Sequence, residues 1–318
     1  MTIHTTCGLR PCHCGVGGNG VGPAVRQLSA DAETLAMVLP VFGQAVATTV
    51  GAHALISESG SYAAAELAGQ PSRPGSGRRI GLRVAAGRGE RLLYSPADPA
   101  YHRPAGLHLV DPHGRLAHRT ELAAPEDIVI LASMLPDLDP IPPQPFVAAP
   151  GPNMMPSLPI IRQARAQWWV SPPCRHQDDF LLDGGAQRRL CLPHLGASAA
   201  RRVKPTILAA LLEHLCHREV SFLRAVARPG CVQAHTGVVN AVDSEGPMTL
   251  LRSHVGLMAV DLDAVAQCWA TRWGVGVNGL VMLELYDRAG LGIGYFGADT
   301  GNGLAVRQEW DRLIAGLP

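Results

Sequence analysis

The clearest pattern of apolar and polar positions in the chain occurs twice. In the segment 106–116 apolar residues alternate with others, and an Asp and a Gly follow before a new apolar run; the same pattern returns 176 residues later. The matched residues are Leu107 with Leu283, Leu109 with Leu285, Asp111 with Asp287, and Gly114 with Gly290. Alternation with a period of two predicts a strand, and Asp and Gly between two such runs predict a turn. We therefore expect one β-hairpin in each half.

The same offset relates other elements. It carries Leu35 and Leu39 onto Leu211 and Leu215, which pairs a helical stretch at 30–39 with one at 206–216. A strand-like run follows each of these helices, and a further helix closes each half, at 125–135 and 305–317. Runs of strands between helices favour antiparallel sheets covered by helices. The sequence thus predicts an α+β fold of two tandem repeats, each a large antiparallel β-sheet with flanking helices.

Proline and glycine mark the boundaries between these units. The segment 136–159 contains many prolines, which interrupt helices and central strands, so it is expected to link the halves. A second segment rich in Gly, Pro and Ser, at 69–79, is expected to be a surface loop. The predicted division is a flexible arm at 1–27, an N-terminal repeat at 28–135, a linker at 136–160 and a C-terminal repeat at 161–318.

Composition narrows the classes of function. Hydrophobic residues make up 47% of the chain and charged residues 17%, enough apolar material for real cores. The net charge of +1 provides no broad positive field for nucleic acid. There is no apolar run long enough to span a membrane, no secretion signal, and no glycine-rich nucleotide loop after a strand. We expect a cytoplasmic protein that is not embedded in a membrane and that acts on a small partner.

The eight cysteines are scattered, which is typical of reduced thiols rather than a disulfide framework. One cluster stands out, because Cys7, Cys12 and Cys14 lie beside His4 and His13. These side chains are zinc ligands, but no second ligand pair follows at the spacing of a zinc finger. A flexible arm is the favoured interpretation, and a zinc site is the alternative.

The second half resembles a known family. The stretch 230–239 (GCVQAHTGVV), with AARRVKPTILAALL before it and CWATRWGVGVNGLVMLELYDRAG after it, is similar to the C-terminal repeat of the hemin-degrading factor family, the HemS/ChuX-like cytoplasmic haem-transport proteins. The similarity runs from about Trp168 to the end of the chain. The first half is similar to the N-terminal repeat of the family, more weakly, over LPVFGQAVATT and LHLVDPHGRLAH.

The resemblance implies one haem b, bound in the C-terminal half through a histidine that opens a helix. The matching residues are His176 and Gln177, with the apolar run 180–182 behind them. Neutral imidazole is the usual axial donor to haem iron, and apolar walls surround such sites. Trp168 and Trp169 are expected to contribute to the wall. The alternative is that His176 is an ordinary surface residue on the loop SPPCRHQDD.

The resemblance also implies arginines around the haem. Arg91 matches a distal arginine, although a solvated strand arginine is an equal alternative, and Arg188 or Arg189 matches a propionate ligand. Arg272 matches a loop arginine whose following Lys and Pro are replaced here by Trp273 and Gly274. Where the family has Tyr-Gly-x-Arg near the C-terminus, this chain has Phe296, Gly297, Ala298 and Asp299. Phe296 is thus a further expected contact to haem.

We therefore expect a haem-binding protein for haem trafficking and utilisation, with His176 as the iron ligand. One alternative is an enzyme that opens the haem ring oxidatively and releases iron, in the manner of a haem oxygenase. Another is a degenerate regulatory module that no longer binds haem. The expected partners are haem itself and either a haem oxygenase or an inner-membrane haem importer.

Overall fold

The computed structural model describes residues 25–69, 74–85, 90–99, 102–135, 140–141, 158–274 and 279–318. The first repeat contains β1 (Arg26–Leu28), α1 (Ala32–Val38), β2 (Ala45–Val50), β3 (Ala54–Tyr62), β4 (Glu66–Leu67), β5 (Gly75–Ser76), β6 (Arg79–Val84), β7 (Arg91–Ser95), β8 (Gly106–Val110), β9 (Leu116–Leu122), α2 (Pro125–Met134) and the short β10 (Pro140–Ile141). The expected arm with Cys7, Cys12 and Cys14, and most of the expected linker, lie outside the described residues.

The second repeat begins with three helices and continues with nine strands. Its elements are α3 (Leu158–Trp168), α4 (Pro173–Asp183), α5 (Ala186–Cys191), β11 (Ala200–Val203), α6 (Leu208–His217), β12 (Phe222–Arg228), β13 (Cys231–Gly237), β14 (Ala241–Glu245), β15 (Met248–Arg252), β16 (Gly256–Asp261), β17 (Gln267–Trp273), β18 (Leu280–Tyr286), β19 (Gly292–Ala298) and α7 (Gly303–Ala315). The predicted duplication is confirmed: β8 and β9 recur as β18 and β19 at the predicted offset.

The strands form two large antiparallel ladders. The first runs β10–β1–β7–β8–β9–β2–β3–β16–β15–β14. The second runs β11–β17–β18–β19–β12–β13–β6. Together with the covering helices they confirm the predicted α+β class, with a mostly antiparallel arrangement in both repeats.

Each ladder is completed by a strand of the other repeat. β16 pairs with β3, and β6 pairs with β13, so the exchange is reciprocal. Glycine is required at both junctions because the backbones approach closely. A Cβ on Gly256 would collide with the carbonyl oxygen of Ser57, and a Cβ on Gly81 would meet that of Ala234. The pairing between the repeats therefore depends on residues without side chains.

The two predicted hairpins have turns of the same kind. The Asp287 carboxylate accepts the backbone N–H of Leu291 at 2.8 Å, and the Asp111 carboxylate accepts that of Arg115 at 2.9 Å. The following glycines, Gly114 and Gly290, have φ of 78° and 82°. This left-handed conformation favours glycine, and a short Asp side chain caps the turn from inside.

Helices cover both faces of the second sheet. On one face α6 and α7 pack through Leu211, Leu215 and Trp310 onto Phe222 and its neighbours. On the other face a separate core contains Trp168 of α3 and Phe180 of α4. Apolar residues in β12, β18 and β19 alternate between these two cores, which is the pattern expected of a sheet buried on both sides. The face under α3, α4 and α5 holds the candidate site.

Candidate haem site

Two short helices bring the central residues of the site together. Pro173 occupies the first turn of α4, where its missing N–H costs nothing, and α4 ends at Gly184 with φ of 67°. Gly185 follows with φ of 74°, and a Cβ on it would lie 2.9 Å from the Phe180 ring. These two left-handed glycines turn the chain sharply into α5. As a result, Arg188 of α5 lies against His176 of α4.

His176 is buried between two tryptophans. Its side chain is on the fourth residue of α4, and the residue is 3% exposed, so the alternative of a surface loop residue is wrong. The Trp168 ring meets the imidazole edge-on at 4.7 Å, and Trp273 stacks on it at 5.3 Å with an interplanar angle of 19°. Trp273 stands where the related family has lysine, and it provides an apolar wall in place of a cation.

The two imidazole nitrogens have different surroundings. Nδ1 lies 2.9 Å from Nη1 of Arg188, whereas Nε2 is buried and has no hydrogen-bond partner among the described residues. Burial, and then the neighbouring Arg188 charge, lower the pKa of His176 to about 3. The ring is therefore neutral at physiological pH and carries a single proton on one of its two nitrogens.

Arg188 is fixed by a buried carboxylate. Its Nε and Nη2 donate to Glu284 at 2.9 and 2.6 Å, and its Nη1 donates to Asp179 at 3.0 Å. The guanidinium also lies 4.3 Å above the centre of the Trp168 ring. A propionate contact, which the sequence predicts for Arg188, would require the guanidinium to exchange Glu284 for that propionate.

Glu284 is held by several donors. Its carboxylate accepts hydrogen bonds from the Thr271 hydroxyl at 2.5 Å, the Trp273 indole at 2.9 Å and the Tyr286 hydroxyl at 2.6 Å. Burial, the largest single influence, raises the pKa of Glu284, but the charge of Arg188 and the hydrogen bonds from Arg188, Thr271 and Tyr286 together lower it. Glu284 is thus a permanent anion beneath Arg188. Sequence reasoning missed it, although it stands between apolar neighbours in a strand buried on both faces.

An arginine from the first repeat also reaches this side of the sheet. Arg83 of β6 donates from Nε and Nη2 to Asp178 of α4, at 2.9 and 2.6 Å, and both residues are buried. The second oxygen of Asp178 accepts the backbone N–H of Gly69 at 2.9 Å. The exchanged strand therefore ties the first repeat to the helix that carries His176. This pair could not be predicted from the sequence, because strand exchange decides which residues meet.

The other predicted site residues lie elsewhere. Arg91 is on β7 in the first sheet, opposite Val110. Phe296 is buried in the core under α6 and α7, against Phe222, on the face opposite His176. Arg272 sends its side chain toward the same side, where its charge acts on Asp311 of α7. Only the Arg272 carbonyl meets the site, by accepting the Trp168 indole N–H at 2.7 Å.

Arg189, the second candidate for a propionate contact, packs over a turn of the second sheet. A Cβ on Gly290 would lie 2.7 Å from both Nε and Nη2 of Arg189, so the guanidinium rests on this glycine. Of the six predicted site residues, the structure brings together His176 and Arg188.

A second buried histidine belongs to a polar network between the repeats. His118 of β9 has both ring nitrogens paired, Nδ1 with the Thr49 hydroxyl and Nε2 with the Tyr62 hydroxyl, each at 2.8 Å. Thr49 also donates to Gln233 at 2.9 Å, and Gln233 donates to Glu58 at 2.9 Å. Gln233 is the glutamine of the GCVQ stretch, so the most specific part of the family resemblance lies between the repeats.

Two further observations concern metals and membranes. Among the described residues, no three His, Cys, Asp or Glu side chains cluster as a metal site would require. The alternative zinc site at Cys7, Cys12 and Cys14 lies outside these residues and stays a prediction. None of the helices in the described part of the chain has the length and apolar character needed to cross a bilayer.

Comparison with known proteins relates this architecture to haem proteins. Residues 185–317 match the family model described as the haemin-degrading HemS.ChuX domain. The fold is similar to that of ChuS, an E. coli haem oxygenase, with a TM-score of 0.72, 16% identity, and coverage of 92% of this chain and 88% of ChuS. It is equally similar to holo-PhuS, a haem-binding protein from Pseudomonas aeruginosa, with a TM-score of 0.71, 19% identity, and coverage of 94% and 88%. No curated protein sequence matches.

Proposed function

We propose that the chain binds haem, with His176 as the axial ligand to iron, because residues 185–317 match the haemin-degrading HemS.ChuX domain. The observation that supports the proposal most directly is the imidazole itself: it is buried and neutral, and its Nε2 has no partner among the described residues. A buried nitrogen without a partner costs about 1–3 kcal/mol, and coordination to a metal would remove that cost.

The surroundings of His176 suit a porphyrin in their chemistry. Trp168, Phe180 and Trp273 belong to one apolar core on this face of the sheet, and apolar side chains are the usual walls of a haem pocket. Because Nε2 is buried, the side chains that cover it must move before iron can bind. We propose haem b, iron protoporphyrin IX, as the ligand, with Arg91 and Arg189 as proposed contacts of lower rank. Arg272 and Phe296 are not proposed as contacts, because their side chains lie on the face of the sheet opposite His176.

Trafficking of haem is the proposed role, and oxidative degradation is the second candidate. Both have support from similar folds, since PhuS is described as a haem-binding protein and ChuS as a haem oxygenase. In either role the protein would contribute the axial histidine, the arrangement of polar groups near the iron and the exclusion of water. A cytoplasmic location, partnership with a haem oxygenase or an inner-membrane haem importer, and separate repeats at 28–135 and 161–318 remain part of the proposal.

A hemin titration tests binding. Wild-type protein is expected to saturate at one hemin per chain with a defined Soret maximum, and His176→Ala is expected to weaken binding at least 100-fold. His194→Ala is the matched control, because His194 is exposed and lies shortly after α5. If wild type and His176→Ala give the same titration, His176 is not the iron ligand. If wild type does not saturate, the protein is the degenerate module instead.

The same complex separates the two roles. Ferric complex is mixed with ascorbate in the presence of catalase, and the Soret band is followed while a chelator traps released iron. A stable band supports trafficking. Loss of the band with release of iron identifies an enzyme, and in that case His176→Ala should abolish the reaction.

A further inference from the structure

The position of Arg188 determines which nitrogen of His176 carries the proton. A guanidinium has five N–H donors and no acceptor. Nδ1 of His176 lies 2.9 Å from Nη1 of Arg188, so Nδ1 must accept this hydrogen bond with its lone pair. The single proton of the neutral ring is therefore on Nε2. That N–H is buried and makes no hydrogen bond of good geometry to the described residues, and the backbone of Trp168 is a neighbouring polar group of the ring.

This tautomer is the opposite of the one that binds a metal through Nε2. A metal-bound histidine offers its lone pair at one nitrogen and donates the N–H of the other to a carboxylate, carbonyl or water. In the present arrangement Arg188 occupies Nδ1 as a donor, and Nε2 has no lone pair to offer. Coordination of iron at Nε2 requires the ring proton to move to Nδ1. Arg188 has no acceptor atom, so it cannot accept a hydrogen bond from an N–H at Nδ1.

Glu284 keeps Arg188 in this position. The bidentate pair between them is buried, with side chains 1% and 0% exposed, and three further donors fix the carboxylate. Removing one partner of a buried ion pair leaves the other charge uncompensated, at a cost of about 3–5 kcal/mol. Arg188 is thus held firmly by contacts that do not involve the imidazole.

An acceptor for the alternative tautomer is present beside the ring. Asp179 lies three residues after His176 on α4, on the same side of the helix, and shares Nη1 of Arg188 at 3.0 Å. If Nη1 turns away, the Asp179 carboxylate is available to accept an N–H from Nδ1. The ring keeps one proton throughout: once the side chains that cover Nε2 have moved, Nε2 releases its proton to water, and Nδ1 takes up a proton from water.

We propose that Arg188, positioned by Glu284, locks the ligand-free protein in the Nε2–H tautomer of His176, and that withdrawal of its Nη1 lets Asp179 accept the Nδ1 proton and frees Nε2 for iron. Arg188, Glu284 and Asp179 act as positioning residues in this proposal. This proposal rests on the proposed function only because it takes haem iron to be the metal that binds Nε2. The tautomer itself is a property of the ligand-free protein.

The tautomer is measured without haem. Long-range ¹H–¹⁵N correlation spectra of ¹⁵N-labelled protein at pH 7 are expected to show a pyridine-like Nδ1 and a pyrrole-like Nε2 for His176. The double variant Arg188→Met with Glu284→Gln removes both buried charges together, which protects the fold, and should lose this preference. Arg188→Lys should retain it, because an ammonium also only donates. A pyrrole-like Nδ1 in the wild type overturns the proposal.

Hemin binding tests the lock separately. In stopped-flow mixing with hemin, the double variant is expected to bind at least tenfold faster than wild type. Adding Asp179→Ala to it removes the acceptor for the Nδ1 proton and should weaken binding. Gln187→Met, a change at an exposed neighbouring position on α5, is the control and should leave the rate unchanged. If the double variant changes the tautomer but not the rate, the lock is wrong and haem binding at His176 stands. If His176→Ala binds hemin like wild type, the proposed function fails instead.

Discussion

His118 and His176 are both buried, and burial lowers the pKa of each to about 3. They differ in what their nitrogens meet. Both nitrogens of His118 contact hydroxyl groups, whereas Nε2 of His176 has no partner among the described residues. A displaced pKa reports burial in both places, so it does not distinguish a structural histidine from a ligand. The unpaired nitrogen does, because a metal at Nε2 would displace no hydrogen-bond partner of that atom among the described residues.

The largest expected effect is a loss of stability on replacing His118, whereas replacing His176 should impair hemin binding. His118→Ala leaves a cavity and removes the partner of Thr49 and Tyr62, so we expect the free energy of unfolding to fall by about 3–4 kcal/mol. Hemin affinity should change by less than threefold. Urea unfolding and hemin titration on the same preparation measure both. If His118→Ala lost hemin binding while remaining folded, the contrast between the two histidines would be wrong.

The dependence of stability on pH should be similar for the two. Both rings stay neutral in the folded protein down to about pH 3, whereas the unfolded chain takes up a proton on each near pH 6.5. The unfolded state binds more protons below pH 6.5, so stability is complete above that value and falls as the pH decreases toward 3. Each histidine contributes up to about 1.4 kcal/mol per pH unit.

Urea unfolding at intervals from pH 7 to 5 measures this slope. His118→Gln and His176→Phe should each reduce the slope of the unfolding free energy against pH by the amount that corresponds to uptake of about one proton on unfolding. The double variant should reduce it by the amount for about two protons. An unchanged slope in either single variant would mean that the replaced ring already takes up its proton in the folded state.

The smallest expected effect is on stability and concerns two buried tyrosines, one with a paired hydroxyl and one whose hydroxyl is unpaired within the described part of the chain. The Tyr62 hydroxyl contacts His118 and, at 2.7 Å, Thr120, whereas the buried Tyr295 hydroxyl beside Trp273 has no partner among the described residues. Tyr62→Phe should cost about 1–2 kcal/mol of unfolding free energy, and Tyr295→Phe should cost nothing or stabilise. Equal losses in the two variants would show that the Tyr295 hydroxyl has a partner in solution.

The sequence predicted the architecture better than the site. Alternation and one constant offset were enough to find the duplicated hairpins, because a local pattern determines local structure. The partner of each strand does not follow from such patterns, and the exchange of β6 and β16 was not foreseen. Arg83 meets Asp178 only because of that exchange. A contact created by topology leaves no trace in the spacing of its residues.

Within the site, His176 and the neighbouring Trp168 followed from the family resemblance, whereas Glu284 did not. The apolar residues on both sides of Glu284 were an available signal. Leu283 and Leu285 lie in one core, and Met282 and Tyr286 lie in the other. The strand is therefore buried on both faces. A carboxylate in such a strand must be paired with a cation. Arg188 or Arg189 was predicted as a propionate contact from the family resemblance, which does not reveal the buried partner of Arg188.

The reciprocal exchange of β6 and β16 also affects how the protein is made. Val84 of β6 pairs with Cys231, 147 residues further along the chain. When the ribosome has released only the first half, β3 lacks its partner β16 and β6 lacks its partner β13. Because domains generally fold from the N-terminus during synthesis, this half must wait with exposed strand edges until the second half emerges, a period in which a chaperone is most useful.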